Sequence, residues 1–394
     1  YNKPYMRRLL SWLSRKRFPY EPLIHIGISR SRLLHNLHQF QTLAPNGVVA
    51  PVLKSNAYGH GLLEIARALE SEPNIPFFVV DSYFEAVALR AKNVKKPLLV
   101  IGYTRPETIA ESRLKHVAFT ITTIETLRAL KDTKKAIPFH IKIDTGFHRQ
   151  GIDPHEIPEA VEIVQTNPRI RLEGICTHLP DADNSDQKFT EQQLQRWSTI
   201  AAEFEKHFPG INYIHGCNTE GSRLSSTTHD TVVRVGIGLY GLCETPQITA
   251  KLDLQPVLNM GTIITSLRTV RAGDTIGYSR TFVAKKDMKV ATIPVGYFEG
   301  LDRRLSSGPE NTPCVYFQVG ARNIACPVVG RISMNITSID VSAVPDVAVG
   351  TPVIVISNTS SDPNSIHSFA KACGTIDYES VVRIPTHLKR EVVE

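Results

Sequence analysis

From residue 48 to about 238 the chain alternates short apolar runs, rich in Val, Ile, Leu and Phe, with longer stretches whose apolar residues recur every three or four positions. The short runs predict strands near 48–53, 77–81, 97–101, 117–121, 138–144, 170–177, 211–215 and 232–237. Between them, sets such as Leu62, Ile65, Ala66 and Leu69, or Ile200, Phe204 and Phe208, share one helical face and predict crossover helices. Eight strand-helix repeats in roughly 200 residues are what a (β/α)8 TIM-type barrel requires, and such barrels carry their chemistry at the C-terminal ends of the strands. Beyond about residue 250 the texture changes. Runs such as Gly261 to Val270, Tyr278 to Val283, Val290 to Pro294, Cys314 to Val319, Pro327 to Val329 and Pro352 to Ile356 are separated by turn residues and predict a mostly antiparallel β domain. The expected division is 1–21 as a basic extension, 22–250 as the barrel and 251–394 as the β domain, with a strand near 22–28 joining the later sheet.

Charge alters this picture only at one end. Of the formal +7, six charges (Lys3, Arg7, Arg8, Arg15, Lys16, Arg17) lie in residues 1–20, which hold no acid, so the rest of the chain carries +1. A near-neutral body excludes a nucleic-acid platform, which needs a basic patch on the folded surface. Met6, Leu9, Leu10 and Leu13 fall on one helical face, which suits either an anionic membrane surface or an ordinary N-terminus, packed as a helix on the protein itself or left as a disordered tail. The second is the simpler reading, so membrane association is not expected. No run reaches the roughly 18 apolar residues of a spanning helix. Six cysteines scattered without a C-x-x-C pair suit a reducing cytoplasm and oppose both a disulfide framework and a zinc site, and no metal is expected.

Candidate chemistry sits at the predicted strand ends. Pro51-Val-Leu-Lys54-Ser-Asn-Ala-Tyr58-Gly59-His60-Gly61 closes the first strand. A lysine leaving an apolar strand must reach solvent, find a partner or do chemistry, because burying its charge is costly; in an arbitrary barrel a snorkelling structural lysine is the bland alternative. Here two glycines allow backbone to approach a ligand, and Tyr58 offers a hydroxyl four residues on. Strand five ends in Lys142-Ile-Asp-Thr-Gly-Phe147-His-Arg149-Gln-Gly151, strand six in Thr177-His178, strand seven in His215-Gly-Cys-Asn218-Thr219 and strand eight in Arg234-Val-Gly236-Ile237-Gly-Leu-Tyr-Gly241. Loops after strands seven and eight are where barrels bind phosphate. A charged loop at strand five and a satisfied core histidine at 178 are the alternatives that these residue types leave open.

Taken in order, these segments resemble the alanine racemases, a family with a barrel followed by a β domain that uses pyridoxal 5'-phosphate. The resemblance implies that Lys54 holds the cofactor as a Schiff base, which needs a free amine. It implies that Arg149 bonds the cofactor's phenolic oxygen, His178 lies against the ring and Arg234 bonds the ring nitrogen. Tyr58, Asn218, Thr219, Gly236, Ile237 and Tyr378, the last in Asp377-Tyr378-Glu379, belong to the cofactor and phosphate set. Lys142 is a position carbamylated in some members. Racemisation needs acid-base groups on both faces of the α-carbon. One is Lys54; the other, by resemblance of Gly273-Asp-Thr-Ile-Gly-Tyr278 to a family segment, is Tyr278 reaching into the partner's site in a homodimer with shared active sites. A phenol titrates near about 10, so cations beside it, Arg149 foremost, are needed to make it a base.

Pro294-Val-Gly-Tyr297 resembles the segment lining substrate entry, and Gly330-Arg-Ile-Ser-Met334-Asn335 the one contacting the substrate carboxylate. Several residues depart from the family's pattern: Ser55, Phe147 and Thr219 keep plausible chemistry, whereas Asn335 replaces the usual Asp and changes the field at the mouth of the site, and Phe298 is larger than the small residue typical there, so the pattern fixes the reaction type more firmly than the substrate. The expected reaction is racemisation of a small amino acid, alanine first, by a cytoplasmic enzyme feeding peptidoglycan synthesis if the host is bacterial. Serine or a broader substrate range is the near alternative. A pyridoxal-phosphate decarboxylase lacks support, since no Gly-Gly-Gly phosphate loop and no Cys-Asp pair is found; a non-catalytic cofactor-binding regulator would not need the Tyr278 segment.

Overall fold

The structure, a computed structural model, describes residues 21–167, 169–243, 245–307 and 315–394. The basic amphipathic segment anticipated at residues 1–20 lies outside the described residues. Strand β1 (His25–Ser29) precedes eight parallel strands: β2 (Val49–Pro51), β3 (Phe78–Val80), β4 (Leu98–Val100), β5 (Val117–Ile121), β6 (Ile137–Lys142), β7 (Ile170–Cys176), β8 (Tyr213–His215) and β9 (Val233–Val235). Each falls on one of the eight predicted runs. β3 to β8 form one continuous parallel sheet and β2 pairs with β9. The ring closes through backbone bonds, Leu53 N to Val79 O at 2.7 Å on one side and Thr231 N to Ile214 O at 2.7 Å on the other. β2, β3, β4 and β5 are buried at every position, as a parallel sheet covered on both faces demands.

The crossover helices begin where the sequence supplies a cap. Ser29, Ser82 and Thr123 each accept a hydrogen bond from the backbone N–H three residues on, satisfying a donor that the first helical turn leaves unpaired.

The second region contains β10 (Leu258–Ile263), β11 (Ser266–Val270), β12 (Thr275–Ile276), β13 (Phe282–Val283), β14 (Met288–Ile293), β15 (Tyr316–Val319), β16 (Ile324–Pro327), β17 (Thr337–Asp340), β18 (Pro352–Ile356) and β19 (Arg390–Val393). A six-stranded sheet has the order β16-β15-β18-β10-β1-β19, with β1 antiparallel to β10 and parallel to β19. β11, β14 and β17 make a second sheet, and β12 with β13 a hairpin. The single run anticipated at Gly261 to Val270 is therefore two strands in different sheets, broken where Ile264 and Thr265 bond to Thr351 O and Thr292 O. The run from Tyr278 is likewise not a strand at its start: Tyr278–Arg280 is a helical turn, with Ser279 and Arg280 at positive φ. Helices Ile366–Cys373 and Asp377–Val382 break the β texture near the end and carry Tyr378 back to the barrel mouth.

Candidate active site

The residue after β2 leads into an unusual piece of backbone. Ser55, Asn56, Ala57 and Tyr58 all have φ between 51° and 57°, one turn of left-handed helix immediately beyond Lys54. For L-residues this conformation costs roughly 1–2 kcal/mol each, so the surroundings must hold it. They do so by several bonds. Glu85 accepts from Asn56 N at 3.2 Å and, through its other oxygen, from Asp81 N at 2.9 Å. Asn56 Oδ1 accepts from Leu62 N at 2.9 Å. Arg390 donates twice to Gly59 O, at 3.0 and 2.8 Å. Gly59 is required by close approach as well as by its φ of 81°, since a Cβ there would stand 2.3 Å from Val381 O.

This turn delivers Lys54 and Tyr58 to a cavity of about 570 Å³ at the C-terminal ends of the strands. Lys142, Arg149, His178 and Arg234 line it as well. So do Asn218, Thr219, Gly236, Ile237 and Tyr378. Four sequence-predicted residues lie elsewhere on the chain: Tyr278 (68% exposed), Tyr297 (43%), Met334 (55%) and the exposed Asn335. They are not scattered. Tyr297 N donates to Ser333 O and Phe298 N to Met334 O, while Asn335 Nδ2 donates to Glu299 Oε1 at 2.7 Å. Gly277, just before Tyr278, lies against the backbone of Arg331. The four therefore share one exposed face of the β domain.

At the centre of the cavity Arg234 is almost entirely buried and tightly held. Its Nη2 donates to Thr177 O at 2.8 Å and Gly216 O at 3.2 Å, and its Nη1 to His215 O and, at 2.7 Å, to His215 Nδ1. A guanidinium only donates, so His215 Nδ1 is the acceptor and its proton sits on Nε2. That proton points to His140 Nδ1, 2.7 Å away. Both imidazoles are neutral: burial and then Arg234 press His140 down to about 3 and His215 well below the ordinary histidine range. His178 is pressed down in the same way, by burial first and then by Arg234, with Lys142, Arg149 and Lys54 adding to it. Lys142 is lowered chiefly by burial, with Arg234 and Arg149 working in the same direction.

The loop that carries Arg149 is organised by Asp144, whose Oδ1 accepts the N–H groups of Gly146, Phe147 and His148. Arg149 lies 4.0 Å above the Phe147 ring, which in turn meets His178. At the opposite end, Thr219 Oγ1 accepts from Gly236 N, and the Tyr58 and Tyr378 rings lie 5.9 Å apart. Burial raises both phenols, so they are hydroxyl donors at neutral pH. A Cβ on Gly236 would stand 2.7 Å from Tyr58 Oη, filling this end of the cavity. Thr120 adds a buried hydroxyl to which no described protein group bonds.

Sequence reasoning missed several contributors. Asp230, buried, receives Trp197 Nε1 and the N–H groups of Gly216 and Cys217, and so fixes the end of β8. Glu85 and the His140–His215 pair act through other residues and leave no local motif. Glu220 lines the cavity with its carboxyl raised by burial; its signal was its place directly after Asn218-Thr219.

Neutral imidazoles, two arginines and an amine meet at the strand ends with the phenols of Tyr58 and Tyr378, where barrel enzymes carry their chemistry. Comparison with known proteins narrows the class. Residues 28–244 match the family described as "Alanine racemase, N-terminal domain" and residues 257–392 match "Alanine racemase, C-terminal domain". The chain is 33% identical over 360 residues to the alanine racemase of Syntrophobacter fumaroxidans, covering 90% of this chain and 93% of that one. It is 30% identical over 370 residues to the alanine racemase of Methanococcus maripaludis, covering 92% and 96%. Among solved structures, an alanine racemase of Clostridium difficile 630 superposes with a TM-score of 0.86 at 26% identity, covering 95% of this chain and 96% of the other. That of Bacillus anthracis, solved with bound L-Ala-P, gives 0.83 at 26% identity, covering 96% of each. The chain belongs to the alanine racemase family and is an amino-acid racemase. No helix among the described residues is long and apolar enough to cross a membrane.

Proposed function

We propose that the chain interconverts L- and D-alanine by a two-base mechanism, with pyridoxal 5'-phosphate as cofactor and with Tyr278 supplied to each cavity by a second copy of the chain. The observation that carries the reading is the convergence of Lys54, Arg149, His178, Arg234, Tyr58 and Tyr378 on one cavity. The donor set fits the cofactor: hydroxyls of Tyr58, Thr219 and Tyr378 for a phosphate beside a glycine that leaves room for it, and the Lys54 amine for an aldehyde. When bound, the cofactor withdraws electrons from the substrate's α-carbon and so acidifies its proton.

The residues then divide the labour. Lys54 holds the aldehyde and, once released by substrate, moves the proton on its own face of the α-carbon. Tyr278 moves the proton on the other face. Arg234, permanently charged and pinned by carbonyls, would face the ring nitrogen of a bound cofactor and keep it unprotonated, which would weaken electron withdrawal and favour returning a proton over side reactions. The neutral His215 behind it has no proton on Nδ1 to give up. Arg149 stabilises negative charge on the cofactor's phenolic oxygen and on the Tyr278 phenol. Lys142, with its amine kept neutral more readily by burial and two arginines, is set up to add to carbon dioxide with loss of one proton, and the resulting carbamate would pair with Arg149.

Incubation with L-alanine in deuterated water tests the proposal. Deuterium at the α-carbon together with D-alanine supports it, with loss of both and of the yellow cofactor colour in Lys54→Ala. Absence of exchange in the wild-type protein overturns the reaction, and parallel runs with serine and lysine fix the substrate range. Sedimentation and activity across protein concentration test the shared site: activity that stays constant in a monomer removes the second copy from the mechanism.

A further inference from the structure

A second cavity, of about 600 Å³, lies between barrel and β domain on the other side of an aromatic wall from the candidate active site. The wall is a stack: the His60 ring lies on Tyr240 at 4.3 Å, and Tyr240 meets Tyr58 at 5.4 Å. Tyr58 lines the first cavity and His60 the second. Asp377, also in the second cavity, directly precedes Tyr378 in the first. Leu242, Leu252, Leu254 and Ile366 give it an apolar floor.

Two buried polar groups in this lining are acceptors. His60 is wholly buried, and its Nδ1 lies 3.1 and 3.0 Å from the carbonyls of Ala57 and Tyr58. Facing two carbonyls, Nδ1 must carry the proton, which leaves Nε2 a lone pair. No described protein group bonds to that Nε2. A buried acceptor without a donor costs about 1–3 kcal/mol, which a ligand supplying the donor recovers. Asp377 is the other, a buried carboxyl with His367 Nδ1 at 3.6 Å on one oxygen. Three hydroxyls of the same lining point elsewhere, Ser357 to Asp362 at 2.5 Å, Ser365 to Ser368 at 3.0 Å and Thr249 to Thr245 O at 3.4 Å. The cavity thus offers acceptors and apolar surface, with exposed Lys251 and Asp253 also in its lining as charges of opposite sign, and its volume is that of a small-molecule site, about 300–1,000 Å³.

We propose that this interdomain cavity binds a small organic cation that presents N–H donors to His60 Nε2 and Asp377 from an apolar body laid on the leucine floor. The occupant would be separated from Tyr58 by the rings of His60 and Tyr240.

Calorimetry on the intact chain loaded with pyridoxal phosphate tests this, with benzamidine as the probe and benzoate as a control of the same ring and opposite charge. Benzamidine is expected to bind once per chain and benzoate not at all. Asp377→Asn should weaken benzamidine by roughly tenfold or more, and Ala250→Trp, which sets an indole at the exposed lip, should remove binding. Lys54→Ala, in the other cavity, should leave it unchanged whether or not the cofactor is retained. No heat with millimolar benzamidine, equal binding of benzoate, indifference to both cavity variants, or loss of binding in Lys54→Ala would each overturn the proposal.

Discussion

At the barrel mouth Arg234 is nearly buried and bonded to three carbonyls and an imidazole, whereas on the β domain Tyr278 stands 68% exposed on a short helical turn with two positive-φ residues. The first is positioned by its own chain down to the tautomer of the histidine behind it. The second is displayed. The difference teaches that one chain fixes the residues of the barrel cavity by its own bonds and leaves Tyr278 on an exposed surface; under the proposed function that tyrosine acts only when a neighbour presents it. Variants should therefore separate the halves: those at the mouth change stability together with function, and loss of the Tyr278 hydroxyl on the displayed face changes function alone.

The largest effect belongs to Arg234→Ala. It strips donors from Thr177 O, His215 O and Gly216 O, and a buried acceptor left without a partner costs about 1–3 kcal/mol. A loss of about 3 kcal/mol or more is expected in urea unfolding, with activity falling in parallel. Tyr278→Phe comes next and inverts the pattern. The unfolding free energy should stay within about 0.5 kcal/mol of the parent, as for an exposed residue, while exchange starting from the L-isomer falls by about 10²–10⁴. A Tyr278→Phe protein that exchanges normally in both directions would end the two-base assignment.

How much of this was legible in the sequence follows the same division. The eight parallel strands were readable because both faces are buried and each run is short, apolar and bounded; the ordered strand-end motifs, with the Asp377-Tyr378-Glu379 segment, then named eleven residues of the first cavity, including the possible carbamylation site Lys142. The β domain was less readable where strands switch sheets. Nothing in Gly261 to Val270 marks Ile264 as the break, because both resulting strands keep β-type residues. The left-handed turn at 55–58 was hidden as well, since Ser-Asn-Ala-Tyr contains no glycine; the conformation is held by Glu85 and Arg390 from distant positions and by the Asn56 side chain, which accepts from Leu62 N. Asp230 and the His140–His215 pair were hidden for the same reason, being partners defined by space and not by spacing.

Acid should expose the barrel's dependence on neutral imidazoles. His60 and His140 titrate at about 4 and about 3, depressed mainly by burial, and His178 and His215 are also well below the usual range. The unfolded chain takes up these protons from about pH 6.5 downward and the folded chain does not. Stability from each is thus full above about pH 6.5 and is lost as pH falls toward the folded value, by up to about 2 kcal/mol per residue at about pH 5. Urea midpoints measured between about pH 7 and about pH 5 should fall steeply. His140→Asn should flatten that slope whatever it does to the baseline. An unchanged slope would mean that His140 is charged in the folded protein.

The smallest expected effect probes the displayed face from within. Asn335 Nδ2 donates to Glu299 Oε1, and the other oxygen of that carboxylate accepts from Gly296 N at 2.8 Å. Asn335→Asp would place a second carboxylate at hydrogen-bond distance from the largely buried Glu299. Two such groups share a proton, so the folded pair binds one more than the unfolded chain at pH values above the ordinary carboxyl range. By linkage the variant is destabilised as pH rises, by about 1 kcal/mol at neutral pH, and recovers as pH falls toward about 4. A deficit that is the same at both ends of that range would show that Glu299 is not the group Asn335 serves. A gain in preference for alanine over serine, with the pH-dependent deficit present, would place the pair in substrate selection as well as in the local fold.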